Sequence, residues 1–108
     1  MVFQVGAALL DACLLSILSQ KDAYGYYLTQ NIKEILNVSE STLYPVLRRL
    51  QREDYLKAYD VPFDGRNRRY YQITDLGRER LREYLCEWDD YKKKIDKVLS
   101  GGAKSEQV

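Results

Sequence analysis

The hydrophobic period of this chain changes twice, and those two changes restrict the fold more than any other feature. Up to about Glu53, apolar residues recur at spacings of three and four. From Tyr55 to Thr74 they alternate, and from Leu76 to Ser100 the helical spacing returns. A chain of 108 residues has room for one core. Three short helices, a two-stranded ribbon and a long last helix must share that core, which predicts a mainly α (α+β) fold.

The first helix is expected over residues 5–19, with Leu9, Leu10, Cys13, Leu14, Ile17 and Leu18 on its buried face. A second helix over residues 23–36 places Tyr24, Leu28, Ile32, Ile35 and Leu36 on one side. Asn37 ends it, because Asn tolerates the left-handed conformation. Ser39 or Ser41 can cap the third helix, which carries Leu43, Val46, Leu47 and Leu50 and runs to about Glu53. Pro45 favours the later start, which would put it near the first turn. The alternation that follows sets Tyr55, Lys57, Tyr59 and Val61 on one face and Leu56, Ala58 and Asp60 on the other. Pro62 ends this strand, Asp64 and Gly65 turn the chain, and residues 69–74 form the return strand after a loop of several residues. Thr74 or Asp75 caps the last helix, and residues 101–108 are expected to be a disordered tail.

Several function classes are excluded by what the chain lacks. It has no histidine, so His-based acid–base catalysis, Ser-His or Cys-His nucleophiles and ordinary zinc or iron sites drop out together; no metal and no cofactor are expected. Cys13 and Cys86 are far apart in apolar helical patterns and suit small buried residues rather than a disulfide. The apolar run 7–18 is broken by Asp11 and Ser16, is too short for a bilayer and lacks a basic leader, so a cytoplasmic protein without membrane contact is expected.

Three helices followed by a hairpin, with a short turn between the second and third helix, describe a winged helix-turn-helix, whose third helix enters the DNA major groove. The exposed chemistry fits that use. The net charge is only +1, but residues 39–70 carry seven basic against five acidic side chains, the only basic third of the chain. On helix 3, the apolar stripe leaves Ser41, Thr42, Tyr44, Pro45, Arg48, Arg49 and Arg52 away from the core. Hydroxyls near the helix start suit phosphates, and arginines one turn apart suit base edges or phosphates. The hairpin tip carries Arg66, Arg68 and Arg69 within four residues, a cluster that needs an anionic partner. A winged helix that binds protein or RNA instead is the alternative, and the arginines weigh against it.

In the last helix Leu81, Leu85, Trp88, Ile95 and Leu99 follow a heptad-like spacing broken at Lys92, with Tyr84 and Tyr91 beside them. Packing on its own domain would use only the first half of so long a helix, so a homodimer seam is expected. The organisation is then a DNA-binding unit over residues 1–75 and a dimerisation helix over 76–100.

These segments resemble a known family. Tyr24-Gly25-Tyr26, the run from Ser41-Thr42-Leu43-Tyr44-Pro45 to Arg48-Arg49-Leu50, and Gly65-Arg66 through Arg69-Tyr70-Tyr71-Gln72-Ile73-Thr74-Asp75-Leu76-Gly77 are similar in order and spacing to the signatures of the PadR family. The resemblance spans about Leu9 to Leu99. It implies a dimeric repressor on an inverted-repeat DNA operator, with recognition-helix residues Thr42, Tyr44, Pro45, Arg48 and Arg49 and a wing at Arg66 to Arg69. It implies the short form of the family, with a single C-terminal helix. Members of the family sense phenolic acids or flat aromatic drugs, which implies a small aromatic effector near Trp88; the residue pattern itself favours simple packing of Trp88 in the seam. Two departures stand out: Asp54 replaces the family's usual Gly after helix 3, and Tyr27 replaces the Glu of its YGYE motif.

Overall fold

The computed structural model describes residues 6–101. Seven elements follow one another: α1 (Ala7–Gln20), β1 (Ala23–Tyr24), α2 (Gly25–Leu36), α3 (Glu40–Arg52), β2 (Leu56–Phe63), β3 (Arg66–Ile73) and α4 (Asp75–Leu99). The three strands form one antiparallel sheet in the order β1-β3-β2. The start of the first helix at residue 5 and the tail beyond Gly101 lie outside the described residues.

The core forms where α1, α2, α3 and the base of the sheet meet. Leu14, Leu18, Leu28, Leu43, Leu47, Leu50 and Leu56 are fully buried there. Each contributes roughly 1.5–3 kcal/mol by leaving water. Leu10, Leu14 and Leu18 of α1 face inward as expected, joined by Leu15 and Ala12, whereas Leu9, Cys13 and Ile17 are only half-buried. Ile35, assigned to the inner side of the second helix, is 68% exposed. Leu28, Ile32 and Leu36 already occupy that face at spacings of four, and Ile35 turns off it. Cys86 is likewise exposed rather than buried.

The turn chemistry follows the residues closely. Asn37 ends α2 in the left-handed conformation (φ 57°), its amide bonding the Lys33 carbonyl at 2.8 Å. The helix-turn-helix link is therefore Asn37 to Ser39, and α3 begins one residue after Ser39, not after Ser41. Pro45 consequently lies beyond the first turn, where it removes the amide that would bond the Ser41 carbonyl. Asp54 also takes a positive φ (65°), the left-handed region that favours Gly.

Two corrections concern the sheet. Residues 23–24 do not begin the second helix; they pair with Tyr71 and Tyr70 as a short third strand. The wing turn is also tighter than expected. Asp64 and Gly65 both have positive φ (50° and 75°), the type I′ geometry that joins strands through two residues. The ladder thus continues through Pro62↔Asn67 to Phe63↔Arg66. Pro62 is tolerated because β2 is an edge strand and needs no amide on its open side.

Thr74 caps α4: its hydroxyl accepts from the Gly77 amide at 2.9 Å and donates to the Asp54 carbonyl at 2.7 Å. The helix packs on α1, and its buried residues, Gly77, Leu81 and Tyr84, all lie in its first three turns. At 25 residues it is about 37 Å long, so the remainder projects past the core.

Candidate nucleic-acid interface

The face of α3 opposite Leu43, Leu47 and Leu50 is formed by Ser41, Pro45, Arg48 and Arg52, all exposed and spaced four, three and four residues apart. Thr42 is exposed beside them, and its hydroxyl lies 3.0 Å from that of Ser39, which is also 2.9 Å from that of Ser41. These three hydroxyls gather at the N-terminal end of α3, where free amides and the helix dipole favour an anion. Glu40 in the same turn is held back by Gln30 and by Lys33, whose Nζ stands 3.8 Å away.

Two residues expected on this face are committed elsewhere. Tyr44 is half-buried, with its hydroxyl 3.5 Å from Thr29 Oγ1, and packs against the core. Arg49 turns inward to form an ion pair with the buried Asp11, and its second arm reaches Glu53 at 3.2 Å. The hydrogen bond to Asp11 pushes the Arg49 guanidinium above its ordinary pKa, against the opposing effect of burial. It is therefore engaged within the fold rather than free on the exposed face of α3.

In the wing, strand alternation separates the arginines. Arg66 and Arg68 lie on one face; Arg69 lies on the other, 3.8 Å from Asp60. Arg68 is laid over the Phe63 ring at 3.7 Å and the Tyr24 ring at 4.7 Å, which fixes the plane of its guanidinium without neutralising it. Among the described residues Arg48, Arg52, Arg66 and Arg68 form no ion pair. The wing stands on an aromatic row that crosses all three strands: Tyr59 stacks on Tyr70 at 5.7 Å, and Tyr70 on Tyr24 at 5.8 Å. Tyr27 sets its edge against Tyr24 at 5.2 Å. Asp22 accepts from Tyr59 at 2.6 Å and from Gln72 at 3.3 Å, tying the row to the loop before β1. Sequence reasoning missed this row because it depends on register between distant segments.

The second surface lies on α4. Leu81 and Tyr84, expected in a seam between copies, belong to the chain's own core, since the first turns of α4 lie on α1. Leu85 (50% exposed), Trp88 (42%), Tyr91 (58%) and Leu99 (78%) do line an open apolar face, with Ile95 half-buried among them and Val98 added to the set. Clefts of about 600 and 320 Å³ flank Trp88. Leu9 and Ala12 border both, and Ile17 and Ile35 border the smaller. Burial, and then the hydrogen bond to Asp11, raise the Tyr84 phenol pKa. The neutral phenol's contribution to stability is complete below the free value of about 10 and is lost as pH rises through the higher folded value. Alkaline unfolding should therefore be shallower in Tyr84→Phe than in the wild type, as followed by circular dichroism.

No cluster of His, Cys, Asp and Glu able to hold a metal occurs among the described residues, and no described helix is long and apolar enough to cross a membrane. The arrangement is that of a winged helix-turn-helix: a cationic helix set on a two-helix support, flanked by a cationic hairpin. The chain belongs to the PadR-like family of transcriptional regulators, whose pattern it matches over residues 14–83. Its class is thereby that of DNA-binding transcription regulators, not enzymes. It is 40% identical over 98 residues to an uncharacterized protein of Lysinibacillus sphaericus, covering 85% of this chain and 89% of that one. Its fold is similar to that of smu.1704 from Streptococcus mutans (TM-score 0.86, 41% identity, 94% and 96% of the two chains). It is also similar to a PadR family transcription regulator from Clostridium difficile R20291 (TM-score 0.76, 31% identity, 83% and 97%).

Proposed function

We propose that the protein is a cytoplasmic, homodimeric repressor that binds an inverted-repeat operator, using residues 1–75 to read DNA and residues 76–100 to pair with a second copy. The observation that carries this reading is the cationic stripe of α3, Arg48 and Arg52 beside Ser41, Thr42 and Pro45, flanked by Arg66 and Arg68 of the wing, with no ion pair to any of the four arginines among the described residues. Its α3 residues meet base edges and phosphates in the major groove, and the wing arginines meet a neighbouring phosphate row or minor groove. A two-fold dimer then requires half-sites about one helical turn apart. A flat aromatic effector that releases the DNA would enter the clefts beside Trp88, which have apolar walls and lie against the proposed seam.

The test is selection of bound sequences from a random duplex pool, followed by titration of the winner at two salt concentrations. An enriched inverted repeat with a steep salt slope supports the reading; an absence of enrichment and of salt-sensitive binding overturns it in favour of a protein-binding winged helix. Arg66→Ala or Arg68→Ala should weaken binding to every duplex and reduce the salt slope by about one. Arg48→Ala should in addition cost about 1–3 kcal/mol and relax preference at one base position. Equal binding by all three variants would remove these arginines from the interface.

A further inference from the structure

Asp11 is the one charged side chain buried among the described residues, 3% exposed in the middle of α1. Its two oxygens serve two other helices. Oδ1 accepts from Nη2 of Arg49 on α3, and Oδ2 accepts from the Tyr84 hydroxyl on α4 at 2.9 Å. Arg80 lies over the Tyr84 ring at 4.2 Å, and Glu53 holds the second arm of Arg49. Three helices are thus tied at a single carboxylate. A buried ion pair is a poor route to stability, because apolar side chains of similar volume would hold the helices as well or better. What it does supply is directionality: hydrogen bonds fix how α3 is rotated and where it slides, whereas apolar packing tolerates small shifts. Each end of the clamp sits beside a working surface. Arg49 adjoins Arg48 of the exposed stripe, and Tyr84 stands one turn before Trp88 and lines the larger of its clefts.

We propose that Asp11 and Tyr84 are positioning residues for DNA recognition: through Arg49 they set the pose of α3 against α4 and thereby couple the DNA face to the apolar face at Trp88. This rests on the reading of α3 as the recognition helix. Any occupant of the Trp88 face that displaces Tyr84 then changes operator affinity, and operator binding changes the environment of Trp88 by the same linkage.

Tyr84→Phe tests it with little disturbance, since the ring and its stack under Arg80 remain and only the hydroxyl is lost. The expected result is about a tenfold loss of affinity for the selected operator, with non-specific duplex affinity, salt slope and oligomeric state unchanged. Trp88, the only tryptophan, reports the coupling: its emission should shift when operator is added to the wild type and not when it is added to Tyr84→Phe. Asp11→Asn should act in the same direction, and the double variant should lose less than the two single losses combined, because both break one clamp. Unchanged operator affinity in both single variants overturns the proposal. So does a parallel fall in specific and non-specific binding, which marks a purely structural role; Tyr84→Phe decides the matter if Asp11→Asn fails to fold. A wild-type protein that binds no duplex overturns the DNA reading and the clamp together, whereas binding by the wild type with unaltered variants overturns the clamp alone.

Discussion

Gly77→Ala should destabilise the protein by about 3 kcal/mol or more, at the upper end of what overpacking usually costs. Gly77 lies in the first turn of α4, where the helix leaves the sheet. A β-carbon there would stand 2.3 Å from the Tyr55 carbonyl oxygen and 2.8 Å from Ile73 Cγ1. Neither neighbour can withdraw. The Tyr55 carbonyl is held by the Thr74 amide at 3.1 Å, and Ile73 is buried in the core. The start of α4 must therefore lift away, which breaks the bond from the Gly77 amide to Thr74 and loosens Leu81 and Tyr84 behind it. In a domain of this size the melting temperature should fall by about 12–24 °C, measured by thermal circular dichroism. A variant melting within a few degrees of the wild type would show that the helix entry has slack and that the clash is relieved by local movement.

That glycine sits in the segment most legible in the sequence, because its neighbours signal locally. Thr74 is a capping residue just before a helical apolar pattern, Asn37 a helix stop, and Asp64-Gly65 a turn; each acts on the backbone within a few residues of itself and is found where expected. The alternation from Tyr55 separates Leu56 and Ala58 from Tyr59, and in the fold Leu56 is buried, Ala58 half-buried and Tyr59 exposed. What stayed hidden depends on distant partners. A two-residue strand has no period, so Ala23–Tyr24 reads as the start of a helix until Tyr70 and Tyr71 lie beside it. The run Arg66-Asn67-Arg68-Arg69 has little strand propensity, yet the two-residue turn forces it into the ladder against Phe63, Pro62, Val61 and Asp60. This places Arg66 and Arg68 on one face and Arg69 on the other, a division invisible while the segment is read as a loop.

The candidate site shows the same limit. Helical spacing is enough to bring Arg48 and Arg52 together on the outer face of α3. The same spacing leaves Arg49 at the border of that face, and its commitment is decided by Asp11, 38 positions earlier in the chain. Within α1 Asp11 looks like an interruption of an apolar run; in the fold it is the acceptor for two helices. A charged residue inside an otherwise apolar helical stripe is therefore the signal that a distant cation and hydroxyl converge on it.

In the proposed homodimer, Trp88→Ala should shift the protein strongly toward monomer and weaken operator binding with it. Among the described residues, the apolar face of α4 from Leu85 through Trp88 and Tyr91 to Leu99 stays largely exposed. Its other side is polar: Lys93 pairs with Asp89 at 3.0 Å on a hydrated face that needs no partner. A second copy laid along the apolar side would place Trp88 near the middle of the seam, where truncating a large aromatic costs about 2 kcal/mol or more. That corresponds to roughly a thirtyfold rise in the dimer dissociation constant. Operator affinity should fall further at low protein concentration, because two half-sites must then be filled by separate monomers. The monomer fold itself should survive, since α4 packs on its own domain through Leu81 and Tyr84, ahead of Trp88. Sedimentation equilibrium and operator titration over a range of protein concentrations separate the two effects. A variant that remains dimeric at the wild-type concentration, with operator affinity intact, would show that Trp88 lies outside the seam and that the pairing surface must be sought on α1 and α2, near Leu9 and Ile35.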